Sequence, residues 1–189
     1  MKTIYLCGPI NGRSDADCND WRSKAKSLLE DLETLDPMRR DYRGRENEAV
    51  HEIISNDKQD IDESDALLVY FDSPSFGTAM EIFYAHSRGK RVVAVNASGN
   101  PVSPWVTGHV DMVFELLEDA CKHICWLFAA DDYLESYLAK GAEDRRFARI
   151  DFQDWLNRKG AAMSDSQAER FLENSSAVEK TDDGRWVAV

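Results

Sequence analysis

Short apolar runs rich in β-branched residues alternate along the first two-thirds of the chain with stretches whose apolar positions recur every three to four residues. That alternation predicts strands separated by helices. Residues 3–7 form a first strand and run into Gly8-Pro-Ile-Asn-Gly12-Arg13, a loop with two glycines where backbone can approach a ligand closely. Residues 17–32 carry Trp21, Ala25, Leu28, Leu29 and Leu32 at helical spacing, with Asn19 or Asp20 available as a cap. A second strand is expected over 34–38 and a second helix over 46–63, with Val50, Ile53, Ile54, Asp57 and Ile61 along one side. Residues 66–71 read as an apolar, β-rich third strand, 91–96 as a fourth whose run 92–95 is typical of burial on both faces, 112–115 as a fifth strand and 116–128 as a last core helix. Five strands with interleaved helices imply an α/β fold with a flavodoxin-like, Rossmann-like parallel sheet of order 2-1-3-4-5. Residues 1–128 are expected to form this domain. Beyond it, short helical patterns at 131–138, 152–158 and 164–172 and an apolar tail ending in Trp186 and Val189 suggest a helical C-terminal extension, 129–189, with no catalytic motif.

Composition narrows what such a domain can do. With 189 residues, 43% of them hydrophobic, the chain can bury one good core and an appended subdomain. A formal net charge of −12 argues against gripping a nucleic-acid backbone, so any nucleic-acid connection should lie at the level of monomers. No apolar run reaches the roughly 20 residues of a membrane span, and the N-terminal residues read as a strand rather than a signal-peptide core. Cys7, Cys18, Cys121 and Cys125 follow no disulfide-framework spacing and are expected to be reduced core thiols in a cytoplasmic protein. Cys121 and Cys125 lie one helical turn apart but lack a second ligand pair, so no metal site is expected.

The chemistry concentrates after the third strand, in Asp72-Ser-Pro-Ser-Phe-Gly77 and a helix expected to start at Thr78 with Glu81 in its first turn. Thr78-Ala-Met-Glu81 fits a capping box, in which the Glu side chain turns back to a backbone N–H. The same carboxylate, at the ligand edge of a parallel sheet, could instead attack an anomeric carbon. Asp57 allows two readings, a solvated acid near a helix end or a carboxylate held inside for a purpose. Four arginines over 39–45 form either a rim for an anionic ligand or a solvated loop paired with Asp41, Glu46 and Glu48.

Taken together, Ile4-Tyr5-Leu-Cys-Gly8, Asp57, Asp65 and Ser73-Pro-Ser-Phe-Gly77-Thr-Ala-Met-Glu81-Ile-Phe-Tyr-Ala85 resemble the nucleoside 2-deoxyribosyltransferase family, including its branch of 2'-deoxynucleoside 5'-monophosphate N-hydrolases. The resemblance covers roughly residues 3–126. It implies that Glu81 is a nucleophile forming a glycosyl-enzyme intermediate, that Tyr5 holds it, and that Asp57 helps protonate the leaving base. No metal or organic cofactor is implied. Gly8, Asn11, Arg13, Ser75 and Gly77 are the expected substrate contacts. Ser75 stands where transferases of free nucleosides carry an Asp, and Ser103 and Trp105 align with a segment that completes a neighbouring subunit's site. Ser75, and Ser103 where the monophosphate hydrolases also carry Ser, favour a 5'-monophosphate, and the Ser103–Trp105 segment implies a homo-oligomer, a dimer or higher. Pro9 and Asn11 depart from the hydrolases' phosphate-binding Ser and Arg, for which Arg13 or the 39–45 loop would compensate. The alternatives are a transferase exchanging bases between free deoxynucleosides and a nucleotide-binding sensor without turnover.

Overall fold

The computed structural model describes residues 1–139, 146–158, 164–173, 175 and 178–189. Two compact units divide the chain, Met1–Lys122 and His123–Val189.

In the first unit, β1 (Thr3–Cys7), β2 (Glu33–Leu35), β3 (Ala66–Phe71), β4 (Arg91–Asn96) and β5 (Met112–Phe114) form one sheet of order β2-β1-β3-β4-β5. Every pairing is parallel. The flavodoxin-like order expected from the alternation is therefore present. Side chains alternate across the sheet, so Tyr5 and Cys7 of β1, Leu67 and Val69 of β3, and Val92 and Ala94 of β4 share one face. That face packs on Ile61 of α2 (Val50–Glu63) and on Ile82 and Ala85 of α3 (Phe76–Ser87). The chain leaves β1 toward β2 on one side and returns through β3 on the other. Their carboxyl ends thus flank the crevice where an open α/β sheet takes ligands.

Several boundaries move from their expected places, each for a local reason. Helix α1 (Asp15–Leu28) starts two residues early because Ser14 and Asp17 form a reciprocal capping box, which supplants Asn19 and Asp20. Strand β2 ends at Leu35 because Asp36 caps a 3-10 turn over Pro37–Arg40, accepting from the Met38 N–H at 2.9 Å. Helix α2 starts at Val50 rather than 46, after turns that include Gly44 at φ 84°. A four-residue helix, α4 (Pro104–Thr107), interrupts the loop after β4.

Helix α5 (Leu117–Leu138) is continuous where two helical segments were expected. The second unit adds α6 (Arg149–Arg158) and α7 (Asp165–Glu173) together with a sheet that the helical pattern did not reveal. Strands β6 (Arg146–Phe147), β7 (Val178–Lys180) and β8 (Trp186–Ala188) pair antiparallel in the order β6-β8-β7. Tyr133, Phe147, Phe152, Leu172 and Trp186 are central to its core. The described elements run helix, strand, helix, helix, strand, strand, with the first strand beside the last. No helix among the described residues is long and apolar enough to cross a membrane.

Candidate active site

Ser75, not Thr78, caps α3. Its Oγ accepts the Thr78 N–H at 3.3 Å, which starts the helix at Phe76 and moves Glu81 into the second turn. Glu81 therefore has no capping role. Its carboxylate reaches the end of β1, where the Tyr5 hydroxyl donates to Oε1 at 2.6 Å and the Cys7 thiol donates to Oε2 at 3.1 Å. The two-residue period of a strand places both donors on the face toward α3. Tyr5 and Cys7 are fully buried, so each would otherwise carry an unsatisfied polar group.

Asp57 is half-buried on α2, and with Glu81 it lines a pocket of about 270 Å³. Asp57 is thus neither fully solvated nor fully enclosed. Burial, and then the Asp57 charge, push Glu81 up to about 7, while the Tyr5 and Cys7 hydrogen bonds pull it back. Burial, and then the Asp60 charge, push Asp57 up to about 6, against Arg40, Tyr5 and Arg39. The Asp57 charge reaches Glu81, so the two carboxyls that line this pocket are electrostatically linked.

The first loop contributes Gly8 and Asn11 to the pocket, and the turn before α3 contributes Ser75, Gly77 and Thr78. Gly8 is required by close packing, because a Cβ there would sit 2.8 Å from Trp21 Cζ2 and 3.1 Å from the Tyr70 carbonyl. Behind it the buried Arg22 donates to the Gly8 carbonyl at 3.0 Å and to the Cys18 carbonyl at 2.6 Å, fixing the loop against α1. The arginine loop also reaches the pocket through Arg40 and Arg43. Arg39 and Arg40 converge on the buried Asp60 at 2.5 and 3.0 Å. Arg43 pairs with Asp41 at 2.6 Å and Asp15 at 2.7 Å. The loop is thus both a wall of the pocket and an ion-paired structure, with Asp60 and Asp15 as partners rather than Glu46 and Glu48.

Three expected contacts lie elsewhere. Arg13 is bound to Asp72 and lies 3.7 Å from Asp17, so those carboxylates hold it away from the pocket lining. Ser103 caps α4 by accepting the Trp105 N–H at 3.3 Å, and Trp105 is 77% exposed; neither lines the pocket of this chain. Cys7 and Asp60 are the residues that sequence reasoning missed. Cys7 looked like core on an apolar strand, whereas Asp60, three residues beyond Asp57, lay on a stripe whose polarity could have signalled it. No group of three or more His, Cys, Asp or Glu among the described residues is placed to hold a metal ion.

A half-buried carboxylate held by Tyr5 and Cys7 thus stands at the β1–β3 crevice, in one pocket with Asp57. The profile of the family described as nucleoside 2-deoxyribosyltransferase matches residues 4–123. The chain belongs to that family. No curated protein matches it. Among solved structures, the 2-deoxyribosyltransferase from the psychrotolerant bacterium Bacillus psychrosaccharolyticus is 22% identical, covering 62% of this chain and 88% of that one, with a TM-score of 0.53. The Clostridium botulinum CMP N-glycosidase, BcmB, is 17% identical, covering 65% and 98%, with a TM-score of 0.45. A conserved protein from Enterococcus faecalis V583 is 18% identical, covering 66% and 97%, with a TM-score of 0.47. At 22% identity the likeness to the Bacillus enzyme is one of fold.

Proposed function

We propose that this nucleoside 2-deoxyribosyltransferase family member cleaves the N-glycosidic bond of (2'-deoxy)nucleoside 5'-monophosphates through a covalent glycosyl-Glu81 intermediate. The observation that carries the reading is the clamp on Glu81, in which each carboxylate oxygen has its own donor on β1. A Glu81 oxygen bonds to C1' as the C1'–N bond breaks, through an oxocarbenium-like transition state, and the bonding pair leaves with the base. Asp57 gives its proton to that base. Water or a second base then attacks C1', breaks the ester and returns a proton to Asp57. The free pair favours its proton on Glu81, the group with the higher value. Positive charge developing at C1', and a base nitrogen seated against Asp57, favour the opposite placement that the reaction uses.

Ser75 supports the phosphate. Its Oγ accepts the helix cap and keeps an O–H to donate, where an Asp would repel an anion. A second reading, base exchange between free deoxynucleosides, is favoured by the ion pairing of Arg40 and Arg43, which leaves no uncommitted guanidinium in the pocket wall. We further propose that the chain acts as a homo-oligomer. Phe76, Met80 and Phe83 lie exposed at i, i+4 and i+7 on the helix that carries Glu81. A partner covering them would bring Ser103 and Trp105 to the neighbouring site. Four cysteines that form no disulfide with one another suit a reducing cytoplasm.

The test is to incubate the protein with each nucleoside and its 5'-monophosphate, in deoxy and ribo forms, with and without an acceptor base, and to follow base release. Release from monophosphates into water supports the hydrolase. Exchange that needs an acceptor supports the transferase, and binding without release in any mixture returns the chain to the sensor reading.

A further inference from the structure

We propose that Cys7 is a positioning residue for Glu81, whose thiol holds Oε2 in place and favours the charge that a nucleophile needs. The inference rests on the reading of Glu81 as nucleophile only for its kinetic consequence. Its structural content is independent of that reading.

Cys7 is the last residue of β1, fully buried, and its sulfur lies 3.1 Å from Glu81 Oε2 and 3.9 Å from the Thr78 carbonyl. A core thiol with no role beyond packing has no need of a carboxylate oxygen at that distance. Tyr5 occupies the other oxygen, so the two donors fix the plane of the carboxylate between them. The groups facing Glu81 are Tyr5 and Cys7 from β1, Asp57 from α2 and Arg22 from α1. Of these, Asp57 opposes the Glu81 charge while Tyr5, Cys7 and Arg22 favour it. Burial and the Glu81 charge push the Cys7 thiol itself well up, which keeps it protonated and therefore a donor. The same protonated, fully buried state makes it a poor nucleophile, so a positioning role fits where a reactive one does not. A thiol is a weaker donor than a hydroxyl. Oε2 is thus oriented without the tight hold that Tyr5 exerts on Oε1, and it is the oxygen freer to attack.

The experiment compares wild type, Cys7→Ala and Cys7→Ser, with Cys7→Val as a second donor-free variant of similar volume should the alanine protein not fold. Two readouts are taken, the titration of the Glu81 carboxyl by carbon NMR in the free protein and the pH profile of kcat/KM on whichever substrate is active. Loss of the donor is expected to raise the Glu81 titration by about half to one pH unit. It should also move the higher apparent pKa of the kcat/KM profile up, with kcat reduced roughly tenfold and KM within about twofold. Cys7→Ser should restore both, because it keeps a donor. Equal behaviour of the alanine and serine variants, or a Glu81 titration unmoved in both donor-free variants, overturns the proposal. If no substrate turns over, or if Glu81→Gln remains active, the proposed function fails while the NMR titration still decides the role of Cys7.

Discussion

Asp57 and Asp60 stand three residues apart on α2, yet only Asp60 is neutralised, by Arg39 at 2.5 Å and Arg40 at 3.0 Å. The Asp60 charge helps hold Asp57 up at about 6, and the two arginines oppose it. Replacing Asp60 with asparagine removes the first effect and releases the second, and both push Asp57 down. Fewer molecules then carry the proton on Asp57 with Glu81 ionised. Asp60→Asn is therefore expected to lower kcat/KM by about tenfold for each pH unit that Asp57 falls. The lower apparent pKa of its profile should move down with it. An unchanged lower limb would detach Asp57 from this cluster.

The pH profile of the unaltered protein follows from the pair. One proton on two carboxyls is retained between about pH 6 and about 7, so kcat/KM should be bell-shaped with its maximum there. Asp57→Asn abolishes the requirement for a retained proton. Its activity should fall by about 10²–10⁴-fold on bases that need protonation, and the alkaline limb should vanish. A bell that persists in Asp57→Asn would assign the acid to another group.

Glu81 also affects stability. Its folded-state value, about 7, lies above the 4.5 of an unperturbed Glu, so between these limits the folded chain binds more protons than the unfolded chain. Stability contributed by the protonated form is present below about pH 4.5 and is lost as pH rises toward 7. Glu81→Gln keeps the shape and removes the ionisation. At pH 8 it should melt a few degrees above wild type, corresponding to about 1–3 kcal/mol once the partial exposure of the residue is discounted. At pH 4.5 the two should coincide. A variant equally or less stable at pH 8 would show that the charge is well accommodated.

How much of this was legible beforehand depends on whether the cause was local. Strands such as Val92–Val95 are written in a single run of residues buried on both faces, and the sheet order follows from connection rules that need nothing else. Glu81 and Asp57 could be named because the motifs that carry them are contiguous or nearly so. The Cys7 hydrogen bond spans 74 positions, and Arg39 and Arg40 reach Asp60 across 21 and 20, separations at which no spacing rule operates. Ser14 and Ser75 were missed as caps because competing Asn, Asp and Thr residues stood nearby. The strands of the second unit, of two or three residues, are too short for a two-residue period to register.

Gly8 offers a test of the loop separately from the acid pair. A methyl group there meets the rigid Trp21 ring, stacked on Tyr70 at 4.9 Å, as well as the Tyr70 carbonyl, so the loop rather than its neighbours must move. Overpacking of this kind costs about 1–3 kcal/mol. Gly8→Ala is expected to lower Tm by several degrees and to raise KM more than it lowers kcat, since the displaced loop lines the pocket. Wild-type KM with a lowered Tm would confine Gly8 to a packing role.

The charge of the second unit bears on whether it could bind DNA. Residues 123–189 contain nine Lys and Arg against thirteen Asp and Glu. Helix α7 exposes Asp165 and Glu173, and the turn between β7 and β8 exposes Asp182 and Asp183. Among the described residues, Arg149 pairs with Asp165 at 3.2 Å and Lys180 with Glu169 at 2.5 Å. Phosphate contacts supply most of the affinity of any duplex binder, and each releases counterions, giving a steep salt dependence. The full chain should therefore not retard a duplex of random sequence at about 0.15 M salt, nor at low salt where such contacts are strongest. Retardation that weakens steeply as salt rises would mean that a basic surface forms despite this balance.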